Sequence, residues 1–310
     1  MDMLLIFLLA IALDLAFGEP PNPLHPVAAM GKFIALLEKG NQSQSRLAQF
    51  LYGLFMVLVT VGLFTTAVYF ILFYLTGVNL VGYIIAGGVL LKLTFSLRGL
   101  RQAAGKVKAH LQADKLDEAR RELRALASRD TQDLPRPLLV SATVESVAEN
   151  TVDSFIAPLF YFLLFGVPGA VAYRVINTLD AMVGYHGKYE YLGKFACWLD
   201  DIANYIPARL AALFLVAAAF LSRRNSRASW QVARQEHRNT ESPNAGWPMA
   251  AAAGALNVQL EKVGQYRLGK AKNPLVPETI DAVVKLAQIA MGLWALICCI
   301  AGVTYFVLTT

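Results

Sequence analysis

Apolar positions dominate long stretches of this chain, and their lengths set the elements. Residues 47–91 hold no charged side chain. These 45 residues are too long for one crossing, which takes roughly 20. Thr76-Gly77-Val78-Asn79 divides the run as a turn. Two spans are therefore expected, over about 51–75 and 80–97. Residues 286–310 form a second uncharged run and the cleanest single span. Three more segments are apolar but interrupted: 3–13 stops at Asp14, 154–173 contains Pro158, Gly166, Pro168 and Gly169, and 203–222 carries Arg209. Proline and glycine in the second of these predict a broken or re-entrant helix, tolerated at membrane depth only against protein or a water-filled cavity. Were 154–173 and 203–222 both to cross fully, the polar stretch 174–202 would lie outside. The polar segments read as helices too. In 104–127, Val107 and Leu111, then Leu116, Leu123 and Leu126, recur at helical spacing with charges between them, as in a solvated helical hairpin. With no competing strand pattern, the expected fold is all-α: one polytopic membrane bundle over 1–310, with a cytoplasmic helical loop at 98–150 and a second polar cytoplasmic loop at 223–284.

Composition agrees with this reading. Of 310 residues 56% are hydrophobic and 16% charged, against about 25% charged in soluble domains. No Lys or Arg precedes Lys32, so the first apolar run lacks the basic region of a signal peptide. The three cysteines, Cys197, Cys298 and Cys299, form no CxxC pair and suggest neither a disulfide framework nor a metal cluster. The net charge of +6 is gathered in two loops, ten Lys or Arg in 98–136 and nine in 223–272. That distribution is a topology signal placing both loops in the cytoplasm, not a nucleic-acid footprint.

Five polar clusters lie beside the interrupted segments. Glu145, Glu149 and Asp153 are spaced i, i+4, i+8, which stacks three repelling carboxylates on one helix face. A bound Mg²⁺ would relieve them; a solvated acidic face is the plainer alternative. Arg174, Asn177 and Asp180 share a face by their i, i+3, i+6 spacing and suit a polar ligand or a helix-end network. Asp200, Asp201, Asn204 and Arg209 sit at the mouth of a span, where the guanidinium fork would suit phosphate and a snorkelling side chain is the plainer alternative. Ser242-Pro-Asn244-Ala-Gly246-Trp247-Pro248 feeds an Ala/Gly-rich helix whose N-terminus would favour an anion. Asp14 lies in an apolar run, where a charge is functional or paired, and His25 follows it. Neither G-x-x-x-x-G-K-[ST] nor GxGxxG occurs, so a nucleotide would not be held in a conventional cradle.

Taken together, the motifs ESVAENTVDSFIAP (145–158), YRVINTLDAMVG (173–184), LDDIANYIPAR (199–209) and SPNAGWP (242–248) resemble the CbiB/CobD family of cobalamin-biosynthesis membrane proteins. Asp14, Gly18-Glu19-Pro20, His25-Pro26 and Arg129-Asp130-Thr131 extend the resemblance over nearly the whole chain. Ser128 and Met249 depart from it, standing where Gly and Glu are usual. The resemblance implies an acid–amine ligase of the cell membrane with its site facing the cytoplasm. It would join adenosylcobyric acid, a corrinoid, to aminopropanol phosphate or a related amino-alcohol phosphate, using ATP and Mg²⁺. Under that implication Asp180, Asp200 and Asp201 are catalytic candidates. Glu145, Glu149 and Asp153 would hold metal. Arg174, Asn177, Asn204, Arg209, Ser242, Asn244, His25 and Asp14 would bind substrate, with Asn150, Arg129 and Asp130 nearby. A homo-oligomer is compatible with it. A non-catalytic corrinoid binder or transporter, or an AmpE-type sensory protein, would share the same spans.

Overall fold

The computed structural model describes residues 2–19, 26–41, 45–124, 126, 130–185, 187 and 189–309. It is predominantly helical, and four of its helical runs are long and apolar enough to cross a membrane: Arg46–Val78, Arg136–Val183, Lys194–Leu221 and Pro277–Leu308. The all-α polytopic expectation therefore holds. The chain divides into two compact units, one of Met1–Ser96, Ala157–Ala203 and Cys298–Thr310, the other of Leu97–Ile156 and Asn204–Ile297.

In the first unit, α1 (Asp2–Phe17) packs on α4 (Leu80–Lys92), and α2 (Pro26–Lys39) and α3 (Arg46–Val78) pack on α8 (Ala157–Val183). Helix α3 is the long apolar span, with Leu58, Leu63, Phe70 and Phe73 exposed along it. The expected turn at 76–79 shrinks to one residue. Helix α3 runs to Val78, and Asn79 caps α4 by accepting from the Gly82 N–H at 3.0 Å.

Helix α4 is shorter than the expected span over 80–97. Its 13 residues reach about 20 Å, against a hydrocarbon core of about 30 Å. It ends at Lys92, a buried cation. The Lys92 ammonium is buried 3.8 Å from Asp14 of α1 and 3.3 Å from Glu19. Upstream, side chains of α1 press onto the bare backbone of α4 at two glycines. A Cβ on Gly87 would come within 2.7 Å of Ile6, and one on Gly88 within 2.6 Å of Leu9.

Helix α8 is broken, as its composition predicts. Gly166 takes φ 67° and ψ −162° inside it, a conformation open to glycine alone, and Pro168 follows. The polar stretch after it is not a 29-residue loop, however. Helix α8 continues to Val183 and α9 (Lys194–Leu221) begins at Lys194, so residues 174–183 and 194–202 are helical.

The second unit is built around α7 (Arg136–Thr151), buried from Leu139 to Ala148 on every face. A helix without a solvated side belongs at the centre of its unit. The residues after it, Val152–Ile156, form one π-helical turn. The basic loop is the expected helical hairpin, α5 (Arg98–Gln112) against α6 (Leu116–Leu123), its apolar faces closed by Leu100, Val107, Leu111 and Leu123. Helices α10 (Ser226–Glu236) and α11 (Gly246–Leu256) pack tightly, and the Ser229 hydroxyl donates to the Ala251 carbonyl at 2.8 Å. A two-stranded hairpin departs from the purely helical expectation. Strand β1 (Gln259–Lys262) pairs antiparallel with β2 (Tyr266–Gly269) around Gly264, with Leu260 opposite Leu268. Four-residue strands show only one inward apolar position each, too little alternation to announce themselves. The unit ends with the first part of α12 (Pro277–Thr309).

Replacing Lys92 by Met should leave two carboxylates beside each other in an apolar setting. Breaking a buried pair in this way costs about 3–5 kcal/mol. The detergent-solubilised K92M protein should lose its fold at a markedly lower temperature, and D14N in the same chain should restore part of the loss.

Candidate functional site

Each unit carries its own polar cluster, and each cluster sits where a helix is interrupted. In the first unit, α8 and the start of α9 bring Asp180, Asp200 and Asp201 into one neighbourhood. The Cys197 thiol hydrogen-bonds the Asp180 carboxyl, and the charges of Asp180, Asp201 and Asp200 all act on it. The Asp200 charge also acts on the Tyr161 hydroxyl. That hydroxyl has a structural task. Pro207 has no N–H to give the carbonyl four residues back, at Ala203. Tyr161 donates to the Ala203 carbonyl instead, at 3.0 Å. Its ring lies flat on Tyr173, with centroids 5.4 Å apart. On the same helix the Arg174 guanidinium reaches Asn177 Oδ1 at 3.5 Å, while its Nε is buried without a hydrogen-bond partner. A half-buried cation with an unanswered N–H is a binding group for an oxyanion or carbonyl. The structure thus unites the three aspartates expected to be catalytic and keeps Arg174 and Asn177 paired on α8. Cys197, Tyr161 and Tyr173 are additions. The pairing of Tyr161 with the Ala203 carbonyl is a tertiary fact that no spacing announces.

In the second unit the organising side chain is Arg209. Its Nη1 donates to the Tyr205 carbonyl at 2.6 Å and to Asn244 Oδ1 at 2.9 Å. Its carbon lies 3.6 Å from the Tyr205 ring centroid and 5.3 Å from that of Trp247. His237 stacks on the Trp247 ring, at 3.9 Å and 21°. One nitrogen is thereby pinned and the plane is held between aromatic faces. No carboxylate of the described residues pairs with Arg209, so the Nε and Nη2 edge, the one that grips an oxyanion bidentately, is left for a ligand. The Trp247 indole N–H is also buried without an acceptor. Ser242 Oγ accepts from the N–H groups of Asn244 and Ala245, shaping the entry to α11. Arg209, Asn244 and Ser242, which the sequence divides between two clusters, are thus linked, and Asn204 is buried. Trp247, Tyr205 and His237 were missed as partners. The Trp-Pro sequence was visible, but His237 lies ten residues upstream.

The acidic face does not form as expected. Glu145 is buried, and its two carboxylate oxygens accept from the hydroxyls of Ser141 at 2.7 Å and Tyr266 at 2.6 Å. Ser141 Oγ also accepts from the Glu261 N–H at 2.8 Å. Glu145 therefore fastens the β-hairpin to α7. Asp153 lies in the π turn, where the residues per turn rise above those of the α-helix that the i+4 spacing from Glu149 assumes. Among the described residues no three His, Cys, Asp or Glu side chains come together to hold a metal ion. The expected Glu145, Glu149 and Asp153 set does not fit a resident cation.

The remaining candidates are dispersed. Asn150 turns its amide nitrogen to the Ser146 carbonyl at 2.9 Å. Asp130 accepts from the Gln132 N–H at 3.0 Å in the loop after α6, where the buried Thr131 hydroxyl donates to the Arg120 carbonyl at 3.0 Å. These are loop-closing contacts. Asp14 serves the buried ion pair with Lys92. His25 and Arg129 lie outside the described residues.

A family profile described as CobD/Cbib protein matches residues 7–296. The chain belongs to the CobD/CbiB family. It is 53% identical over 306 residues to the cobalamin biosynthesis protein CobD of Dehalococcoides mccartyi (strain CBDB1), covering 99% of both chains. It is 42% identical over 294 residues to the probable cobalamin biosynthesis protein CobD of Methanothermobacter thermautotrophicus, covering 94% of this chain and 95% of that one. No solved structure matches. Membership of the CobD/CbiB family places the chain in cobalamin biosynthesis, and its apolar helices place it in a membrane.

Replacing Tyr266 by Phe removes one of the two hydroxyls on the buried Glu145. Stripping a donor from a buried acceptor costs about 1–3 kcal/mol. The Y266F protein should unfold earlier on heating, and its hairpin amides should exchange faster than those of α11.

Proposed function

We propose that this chain is an adenosylcobinamide-phosphate synthase, an ATP-dependent acid–amine ligase. It joins a side-chain carboxylate of adenosylcobyric acid to the amine of aminopropanol phosphate or a related amino-alcohol phosphate. The reading is supported most directly by the convergence of Asp180, Asp200 and Asp201 in a chain of this family. Amide formation needs two things of a protein. The nucleophile must be a free amine, so an ammonium proton has to be accepted within hydrogen-bond reach. The acid must be activated, because a carboxylate is a poor electrophile; ATP supplies that activation by phosphoryl or nucleotidyl transfer.

The aspartate cluster suits the first task. A carboxylate within hydrogen-bond reach of the ammonium is a group that can accept its proton. Arg174 in the first unit and Arg209 in the second are each suited to a phosphate, Arg209 above all because its fork is pre-set by Tyr205 and Trp247. Mg²⁺ enters as the ion carried on the nucleotide phosphates, and no step is assigned to a protein-held metal. The site faces the cytoplasm, on the side of the two basic loops.

The deciding assay is amide product from adenosylcobyric acid and aminopropanol phosphate, with ATP and Mg²⁺ omitted in turn. Product should require both. No product under any condition would support the non-catalytic reading. Among D180N, D200N and D201N, the variant that removes the proton acceptor should lower kcat by about 10²–10⁴-fold, the usual range for a general base. R209K keeps the charge and loses the fork. It should raise KM for the amino-alcohol phosphate roughly tenfold, the equivalent of one charge-assisted hydrogen bond, with a smaller change in kcat.

A further inference from the structure

A groove of about 620 Å³ lies between α5 and the start of α12, within the second unit. Three cations line it, Arg101, Lys108 and Lys285, against one carboxylate, Asp281. Lys108 is already committed to that carboxylate at 2.6 Å. Nearby, Gln112 donates to Glu278 at 3.1 Å and ties the same two helices together. Arg101 and Lys285 are exposed, and neither has an ion-pair partner among the described residues. The groove therefore has a net positive charge carried by two unengaged groups, on a scaffold held closed by Lys108 and Asp281.

Its position along α12 narrows the ligand. Residues 286–310 hold no charge, and the helical part of them, 286–309, makes about 36 Å at 1.5 Å per residue, enough to cross the hydrocarbon layer with some tilt. Lys285 then stands at the level of the lipid headgroups. The same face continues into that apolar stretch at Gly292 and Leu296, seven and eleven residues on. Gly292 leaves open space beside it and Leu296 is exposed. A basic groove leading onto an open apolar stripe matches a molecule with an anionic head and an acyl tail.

We propose that the α5–α12 groove binds the phosphate headgroup of an anionic glycerophospholipid, with Arg101 and Lys285 as its ligands and the Gly292–Leu296 face receiving an acyl chain. The site is separate in sequence and residues from the aspartate and Arg209 clusters. It ties the basic hairpin to the membrane surface without taking part in amide formation.

Native mass spectrometry of the full-length, detergent-solubilised protein tests this, with dioleoylphosphatidylglycerol and dioleoylphosphatidylcholine as probes. The wild type should bind the anionic lipid at least tenfold more tightly than the zwitterionic one. R101Q and K285Q should each weaken binding of phosphatidylglycerol about fivefold, the usual effect of one surface cation on an anionic lipid, and leave phosphatidylcholine unchanged. K115Q, which removes an exposed cation outside the groove, should bind like the wild type, as should K285R. Millimolar inorganic phosphate should not displace the lipid. The proposal fails if the two lipids bind the wild type equally, if R101Q and K285Q bind phosphatidylglycerol as the wild type does, if K115Q loses as much, or if free phosphate competes.

Discussion

Inside a bilayer no water is at hand for an unpaired backbone group, so every interruption of a helix must be answered by the protein itself. That constraint organises this molecule. Pro207 leaves the Ala203 carbonyl without its helical donor, and the Tyr161 hydroxyl supplies one. Gly166 absorbs the break in α8 just before Pro168. The π turn at Val152–Ile156 takes up a residue between α7 and α8. Asn79 closes the joint between α3 and α4 with its own side chain. The polar clusters lie next to these repairs. Tyr161 is near enough to Asp200 to feel its charge, and Arg209 stands two residues beyond Pro207.

Charges away from water follow the same logic. Lys92 is accommodated in a buried position because Asp14 and Glu19 are beside it. Glu145 is tolerated in the centre of its unit because two hydroxyls hold its oxygens. Both are structural uses of ionisable residues in places where a functional use is the default expectation. Arg209 is different. One nitrogen is tied down, two rings hold its plane and no carboxylate of the described residues neutralises it. A cation arranged in this way is prepared for a ligand that supplies the negative charge.

Much of this was legible in the residues. The apolar runs marked the spans, and proline and glycine in 154–173 announced the break in α8. The i, i+3, i+6 spacing of Arg174, Asn177 and Asp180 placed them on one helix, and the family motifs picked out Asp200, Asp201, Arg209 and Asn244. The misreadings share a cause. Spacing rules assume a regular α-helix and see one element at a time. The i, i+4, i+8 carboxylates run into a π turn that no composition signals. Glu145 was claimed by Tyr266, 121 residues away, in a hairpin whose strands are too short to show alternation. The expected span over 80–97 ends at Lys92, whose acidic partners lie on and just after α1.

The proposed function turns on an activated acyl group attacked by an amine whose proton the aspartate cluster would accept. Activation moves one oxygen of the acid onto phosphorus, and the amine then displaces it. Adenosylcobyric acid carrying ¹⁸O in the reacting carboxylate, turned over with ATP and aminopropanol phosphate, reads this directly. One labelled oxygen should appear in phosphate or AMP for each amide formed. Amide formed with no label on any phosphorus product would contradict the account.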